Sequence, residues 1–294
     1  MTPRTRHLAS LTAVSGFVIH LAGCADGLSP PVAFKQESVH FLFVSTTDHA
    51  TETEMTAGLS LAEGLFSDIS AFVGPDHVPT ERIRVVLEGD QTTRGSYVDF
   101  DGVHLFRYPP EDGGYWAVLA HELVHAFGVE WFIAHATWDW PTYGFFDEGF
   151  AEYVAQEVDP NKKGFPFFGY PEDVVAGSWM MSPGAWIPLP TLRLQHTPLN
   201  DSCNLQAYTL RASWFRYVGE ALGREAVLRI AYPDVEPTSE VVQALTGRTL
   251  EELDAEWEAW IRIRYSESPN ADSLAASYAT RTPWYQACIA GTDY

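Results

Sequence analysis

The sequence is poor in basic residues. Its 294 residues include 18 Lys and Arg against 39 Asp and Glu, which gives a formal net charge of -21 at pH 7. Because proteins bind nucleic acids through Lys and Arg side chains that contact phosphates, this balance argues against a nucleic-acid partner. The sequence also has no internal repeats, which excludes a repeat architecture. With 46% hydrophobic residues, the chain can bury a large core.

Long apolar runs are equally scarce, and the most prominent one lies at the N-terminus. Arg4 and Arg6 precede an apolar stretch over residues 8–22 that is too short to span a membrane comfortably, and this pattern predicts a signal peptide over residues 1–23. The stretch ends in Leu-Ala-Gly-Cys24, which resembles the lipobox of bacterial lipoproteins. The resemblance implies lipidation of Cys24 and anchoring in the bacterial cell envelope, on the periplasmic or outer-surface side. An ordinary cleaved signal peptide with a chance cysteine is the alternative.

Only three cysteines are present. Besides Cys24 these are Cys203 and Cys288, and an isolated pair in an exported protein predicts a disulfide. Such a bond would join the C-terminal tail to the segment that precedes Tyr208. Two free buried thiols are the alternative.

Predicted strands come before predicted helices along the chain, which indicates an α+β class. After a polar tether at residues 24–37, alternating and apolar patterns predict strands at residues 39–45, 83–87 and 103–108. Helical patterns cover residues 54–72, a segment ending at 127 before Gly128, and residues 147–158, 205–221, 225–231, 239–245 and 250–264.

These elements predict one domain over residues 38–264, followed by a C-terminal tail at 265–294. Within the domain, residues 159–200 carry Pro or Gly every few positions together with several aromatic residues. We expect a long irregular loop there. It is either a binding loop or lid, or a loop whose aromatic side chains attach it to the core.

One predicted helix contains the segment His121-Glu122-Leu-Val-His125. Residues four apart lie on the same helix face, so both imidazoles can bind one metal ion, and zinc favours such nitrogen ligands. Glu122 points about 100° around the helix and can act as general base toward a water that the metal activates. A hydrogen-bonded histidine pair on a core helix is the alternative.

The segment Asp147-Glu148-Gly-Phe-Ala-Glu152-Tyr decides between these two interpretations. HExxH followed by a helix with Glu-Gly-x-Ala-Glu-Tyr resembles the gluzincin superfamily of zinc metallopeptidases, especially its aminopeptidase-N-like branch. The resemblance implies a zincin-like catalytic domain with a small N-terminal mixed sheet and a mostly helical C-terminal half. It also implies Zn²⁺ as cofactor, Glu148 as third ligand, and Glu152 as the carboxylate that hydrogen-bonds the first histidine. Asp147 is predicted to cap the helix.

The metzincin pattern, HExxHxxGxxH, fails on the same residues. Gly128 falls at its glycine, but Trp131 stands at the third-ligand position and cannot bind zinc. His135 follows four residues too late. Gly128 is therefore predicted to terminate the helix.

Gluzincins use a tyrosine or histidine to hydrogen-bond the oxyanion that forms during hydrolysis. Residues 207–218 resemble a helix that follows the metal site in bacterial members, which makes Tyr208 the first candidate for this residue. Tyr217 and His196 are the second and third, and core packing of either tyrosine is the alternative. The Gly-x-Met-x-Asn strand of aminopeptidases is missing, so the resemblance, over about residues 115–260, does not extend to aminopeptidase specificity.

The leading hypothesis is a zinc-dependent hydrolase, most simply a peptidase with Glu122 as general base and a peptide or protein as substrate. One alternative is an envelope binding or adaptor protein in which the metal is structural. Another is hydrolysis of a non-peptide substrate at the same site, since a fold and a site do not name the substrate.

Overall fold

The structure combines one five-stranded mixed sheet with helices, most of which follow the strands along the chain, and this confirms the α+β class. The structure is a computed structural model that describes residues 32–46, 49–90, 95–108, 114–135, 144–159, 172–181, 201–233 and 238–268. Cys24, Cys288 and His196 lie outside these residues, so the lipid anchor and the disulfide remain predictions. Among the described residues, no helix is both long enough and apolar enough to cross a membrane.

Five strands and eight α-helices are described. The strands are β1 (Val32–Glu37), β2 (Phe41–Thr46), β3 (Ile83–Asp90), β4 (Tyr97–Asp99) and β5 (Gly102–Arg107). The helices are α1 (Glu52–Val73), α2 (Leu119–His135), α3 (Gly144–Val158), α4 (Glu172–Met181), α5 (Asp201–Leu222), α6 (Arg224–Ala231), α7 (Ser239–Thr246) and α8 (Leu250–Glu267).

The strands form one mixed sheet in the order β1-β2-β3-β5-β4. β2, β3 and β5 run parallel, while β1 and β4 pair antiparallel at the two edges. The consecutive residues Val85, Val86 and Leu87 of β3 are all buried, which is typical of a parallel strand covered on both faces. At the β4 edge, α2 contacts both β4 and β5. The sheet therefore supports the helix that carries the HExxH segment.

Helix α1 connects the parallel strands β2 and β3. It begins with a capping box, in which the Thr51 hydroxyl accepts from the backbone N–H of Glu54 and the Glu54 side chain accepts from the backbone N–H of Thr51. Its buried residues, including Met55, Leu65 and Ile69, recur at helical spacing. These side chains belong to the same hydrophobic core as α2, α3, α5 and α8.

The predicted tether is wrong at its C-terminal end. Residues 32–37 form β1, which pairs with β2 as an edge strand. Phe34 of β1 is 40% exposed, and Lys35 and Glu37 form a surface ion pair. An edge strand that buries so little has a weak hydrophobic pattern, so the sequence gives little sign of it.

The prediction that Gly128 terminates the second helix is also wrong. α2 continues through Gly128 to His135. The turn beyond the glycine is held by tertiary contacts. The backbone N–H and hydroxyl of Thr80 donate to the Glu130 carboxylate, and Trp131 packs edge-on against Tyr232 at a centroid distance of 5.3 Å. These contacts outweigh the low helix propensity of one glycine, about 1 kcal/mol.

The expected irregular segment at residues 159–200 contains helix α4. Its buried residues Val174, Val175 and Ala176 join the core. Gly177 lies so close to α8 that a Cβ atom there would come within 2.6 Å of the Tyr265 Cβ. Asp173 of α4 also pairs with Arg264 of α8 at 3.1 Å. Close packing on α8, not local propensity, accounts for this helix among Pro- and Gly-rich flanks.

Two glycines of α1 allow a test of this packing. A Cβ atom at Gly58 would overlap the Trp116 ring, whereas Gly64 has nothing within 4 Å of that position. We expect Gly58→Ala to lower the free energy of unfolding by about 1–3 kcal/mol through overpacking. Gly64→Ala should raise it by about 0.5–1 kcal/mol through helix propensity. Urea denaturation of both variants measures the difference, and equal effects would contradict the packing of α1 on Trp116.

Candidate metal centre

Helices α2 and α3 pack against each other and bring three potential ligands together. α2 supplies His121 and His125, both buried, and α3 supplies Glu148. The two Nε2 atoms are 3.0 Å apart, and each lies 3.1 Å from Glu148 Oε2. The three ligand atoms therefore form a nearly equilateral triangle.

The triangle has the dimensions that a small transition-metal ion requires. Ligand atoms about 2.0–2.1 Å from a tetrahedral zinc ion are about 3.3 Å apart, only slightly farther than the distances observed here. Ligand rearrangement of a few tenths of an ångström would suffice. His121, His125 and Glu148 could thus hold a metal ion.

Each histidine is oriented by a carboxylate on its outer nitrogen. His121 Nδ1 lies 3.0 Å from Glu152 Oε2, and His125 Nδ1 lies 3.0 Å from Asp147 Oδ1. An imidazole that donates from Nδ1 to a carboxylate presents the lone pair of Nε2 on its other side. Both lone pairs then point at each other and at the Glu148 oxygen. Such an arrangement needs a cation at its centre, either a proton or a metal ion.

The structure places Glu152 where the resemblance implies, and it corrects the prediction for Asp147. α3 begins at Gly144, so Asp147 lies inside its first turn and is not the helix cap. Its carboxylate instead pairs with Nδ1 of His125, as the carboxylate of Glu152 pairs with Nδ1 of His121. Nothing in the local sequence marks this pairing, because it depends on how α2 and α3 meet.

Buried charges set the protonation of the cluster. Burial alone would lower the pKa of His121, but hydrogen bonds with Glu148 and Glu152 raise it above its ordinary value of 6.5. For His125, burial is outweighed by the negative charges of Asp147 and Glu148, which raise its pKa well above 6.5. Burial would raise the pKa of Glu148, but the charge of His125 and hydrogen bonds from both histidines hold it well below its ordinary 4.5. The surrounding charges therefore favour the protonated, positively charged form of His121 and His125.

Glu122 lies beside the ligands without joining them. It is buried on α2, and the group that could hold a metal contains His121, His125 and Glu148 but not Glu122. Its negative charge contributes to raising the pKa of His121 and of Tyr208. Glu122 is thus a buried carboxylate next to the potential metal position, as a general base would be.

Tyr208 is the candidate hydroxyl that the structure brings to the site. Its ring meets the ring of His121 edge-on at a centroid distance of 5.6 Å, and its hydroxyl hydrogen-bonds Glu148. The charge of Glu148, then burial and the charge of Glu122, raise the pKa of Tyr208 well above 10. Tyr217, the second candidate, is directed elsewhere, since its hydroxyl donates to Glu256 at 2.5 Å.

Two further residues at the site have no counterpart in the motif. Arg211 is buried on α5, one turn after Tyr208. It packs closely on α3: a Cβ atom added at Gly149 would lie 2.6 Å from the Cβ of Arg211. Burial lowers the pKa of Arg211, and the charge of Glu148 opposes this shift. The sequence signal for Arg211 is a basic residue three positions, about one helical turn, after Tyr208.

Tyr108, just after β5, approaches the site from the sheet. Burial first, and then the negative charge of Glu122, raise its pKa above 10. Its backbone N–H donates to the Gly114 carbonyl at 3.3 Å, near the start of the segment that leads into α2. Nothing in the local sequence marks Tyr108, because the effect of the Glu122 charge on it depends on how α2 packs against the sheet.

Comparison with known proteins adds no relative: no protein-family model matches the chain, and a search of the curated proteins finds no match.

Removal of one ligand should abolish metal binding. We expect the intact protein to bind one zinc ion per chain and Glu148→Ala to bind none at micromolar zinc, because two neutral imidazoles alone leave the site with one ligand fewer and no compensating charge. Glu157→Ala is the matched control, since Glu157 lies on the same helix but pairs with Arg216 at 2.8 Å. Dialysis followed by elemental analysis measures the zinc content. Equal zinc in both variants would contradict the assignment.

The metal-free protein should respond to pH through the same cluster. Because the pKa values of His121 and His125 are raised, their stabilising contribution is complete below about 6.5 and is lost as pH rises through the raised values. The lowered pKa of Glu148 makes its contribution complete above about 4.5, and it is lost as pH falls through the lowered value. The contribution of the cluster is therefore largest between about pH 4.5 and 6.5.

Zinc should accordingly raise the melting temperature more at pH 8 than at pH 6, because at the higher pH the protons that occupied the cluster have left. Circular-dichroism melting of the metal-free and zinc-loaded protein from pH 5 to 9 measures this. A zinc-induced shift that is largest at pH 5 would contradict the arrangement of lone pairs.

Proposed function

We propose that the chain is a zinc-dependent hydrolase of the gluzincin type that cleaves peptide bonds. The observation that carries the proposal is the triangle of His121, His125 and Glu148, with the buried carboxylate of Glu122 beside it. A structural zinc site is closed by four protein ligands, whereas a catalytic site has three and leaves one position open. Three potential ligands are found here among the described residues, which supports a catalytic site.

The residues around the site have separate roles in the proposed hydrolysis. Zinc, when bound, would polarise the scissile carbonyl and lower the pKa of the attacking water toward about 7. Glu122 takes a proton from that water and delivers it to the leaving amine. Glu152 and Asp147 keep the two imidazoles oriented, so that their Nε2 lone pairs face inward.

Tyr208 supplies a hydrogen bond to the oxyanion that forms as the carbonyl is attacked. Its raised pKa keeps the phenol protonated at neutral pH, so the hydroxyl remains a donor. A donor that meets charge present only in the transition state accelerates the reaction without tightening substrate binding. The contact of Tyr208 with both His121 and Glu148 supports this role.

The peptide substrate rests on the gluzincin resemblance, and the cellular location rests on the N-terminal segment. Attachment through a lipid on Cys24 would hold the catalytic domain at the periplasmic or outer surface of a bacterial envelope. Substrates would then be peptides or proteins at that surface. Hydrolysis of a non-peptide substrate, or binding without turnover, are the outcomes that would replace this proposal.

The variant Glu122→Gln tests catalysis directly. It preserves the size of the side chain and all three potential ligands while removing the base. We expect kcat/KM for a mixed peptide library to fall by about 10²–10⁴ with one zinc still bound. Glu130→Gln is the matched control on the same helix, because Glu130 accepts hydrogen bonds from Thr80 away from the site. Mass spectrometry of the cleavage products measures the rates.

The outcomes separate the candidate functions. Cleavage that is unchanged in Glu122→Gln would exclude the proposed base, and peptide binding with no cleavage in either protein would indicate an adaptor. Turnover of esters but not of peptides would indicate a non-peptide hydrolase.

In the same assay, Tyr208→Phe should lower kcat by about 10²–10³ while Tyr217→Phe leaves it unchanged.

A further inference from the structure

Three polar residues of α3 follow one another at intervals of four: Glu148, Glu152 and Gln156. Residues four apart are neighbours on one face of a helix. Glu148 Oε2 lies 3.1 Å from His121 Nε2, and Glu152 Oε2 lies 3.0 Å from His121 Nδ1. The side-chain amide of Gln156 donates to Glu152 Oε1 at 2.9 Å. This face of α3 therefore contacts both nitrogens of His121, and Gln156 adds a third group to which the proposed hydrolysis gives no role.

The contact with Gln156 restrains the carboxylate that orients His121. A glutamate side chain has several rotatable bonds, and a hydrogen bond at one oxygen leaves it considerable freedom to turn. Glu152 has a partner at each oxygen, with Oε2 toward His121 and Oε1 toward Gln156. Its side chain is only 7% exposed, so water has little access to replace either partner. Because an ionised carboxylate only accepts hydrogen bonds, the amide NH₂ of Gln156 is the group that can hold Oε1.

His125 lacks the corresponding donor one turn along α3. Asp147 Oδ1 lies 3.0 Å from His125 Nδ1, and the side chain of Asp147 is 19% exposed. The residue one turn after Asp147 is Ala151, whose side chain cannot donate a hydrogen bond. The donor one turn further along α3 therefore supports the His121 side of the site but not the His125 side.

The amide of Gln156 is also suited to this position because it is neutral. A Lys or Arg side chain could hold Oε1 as well, but its positive charge would offset the charge of Glu152 and repel a cation bound at His121. A neutral donor fixes the carboxylate and leaves its negative charge to act on His121, where it strengthens the imidazole as a metal ligand. Gln156 thus combines the geometry and the charge that such a support requires.

We propose that Gln156 is a positioning residue of the metal centre: its amide holds the Glu152 carboxylate, which in turn holds the His121 ring with Nε2 toward the ion. The inference rests on the zinc site of the proposed function, and it concerns the affinity and geometry of that site and not the bond that is cleaved. Removal of the amide leaves all three potential ligands in place but gives the His121 ring more freedom, so zinc should bind more weakly.

A double-mutant cycle on zinc affinity tests the inference. Gln156→Met keeps the length and helix propensity of the side chain but removes the donor. We expect it to weaken zinc binding about 10-fold, and Glu152→Ala to weaken it about 10- to 100-fold, as is typical of groups behind a metal-binding histidine. In the Glu152→Ala background, Gln156→Met should have no further effect, because the amide acts only through that carboxylate. Competition with a chromophoric chelator measures each affinity in the full chain.

Glu157→Met is the matched control, since Glu157 is the next residue on α3 and pairs with Arg216 at 2.8 Å, and zinc affinity should stay unchanged. The visible spectrum of the cobalt-substituted protein reports the geometry of the ligands, and Gln156→Met should shift it while Glu157→Met does not. Unchanged zinc affinity in Gln156→Met, or effects of Gln156→Met and Glu152→Ala that simply multiply, would overturn the inference alone. Failure of the unsubstituted protein to bind zinc would overturn the proposed function as well.

Discussion

The convergence of two imidazole lone pairs and one carboxylate oxygen between α2 and α3 governs the rest of the structure. His121, His125 and Glu148 meet at distances of 3.0–3.1 Å, and the carboxylates of Glu152 and Asp147 back the two rings. Burying so many polar and charged groups without compensation would cost several kcal/mol. A cation at the centre, either a proton or a metal ion, would offset that cost. The geometry of the site and the stability of the α2–α3 pair therefore depend on the same contacts.

The packing of α5 on α3 extends this constraint outward. Gly149 follows the potential ligand Glu148, and the missing side chain lets the backbone of Arg211 and the ring of Phe215 approach within about 3.1 Å of a Cβ position. That approach brings Tyr208, one turn before Arg211, against His121. Gly149 is thus required for close helix contact and not for an unusual backbone conformation. The same glycine that appears in the sequence motif fixes where the hydroxyl of Tyr208 can lie.

Sequence patterns predicted the parts of the site that depend on local helix geometry. His121 and His125 share a face because they are four residues apart, and Glu148 and Glu152 do so for the same reason. Periodicity likewise predicted three of the five strands and most helix boundaries. Asp147 as a partner of His125 depends on how α2 and α3 meet, which periodicity does not contain.

The predictions that were wrong also failed because of tertiary contacts. Contacts of Glu130 and Trp131 carry α2 past Gly128, and packing on Tyr265 places α4 inside a segment predicted to be irregular. The surroundings of Tyr208 depend on tertiary contacts in the same way. The charges of Glu148 on α3 and Glu122 on α2 act on this residue of α5 and, together with its burial, raise its pKa well above 10. In the proposed hydrolysis, the phenol is therefore protonated near neutral pH and is available as a hydrogen-bond donor, while Glu122 has the separate role of base.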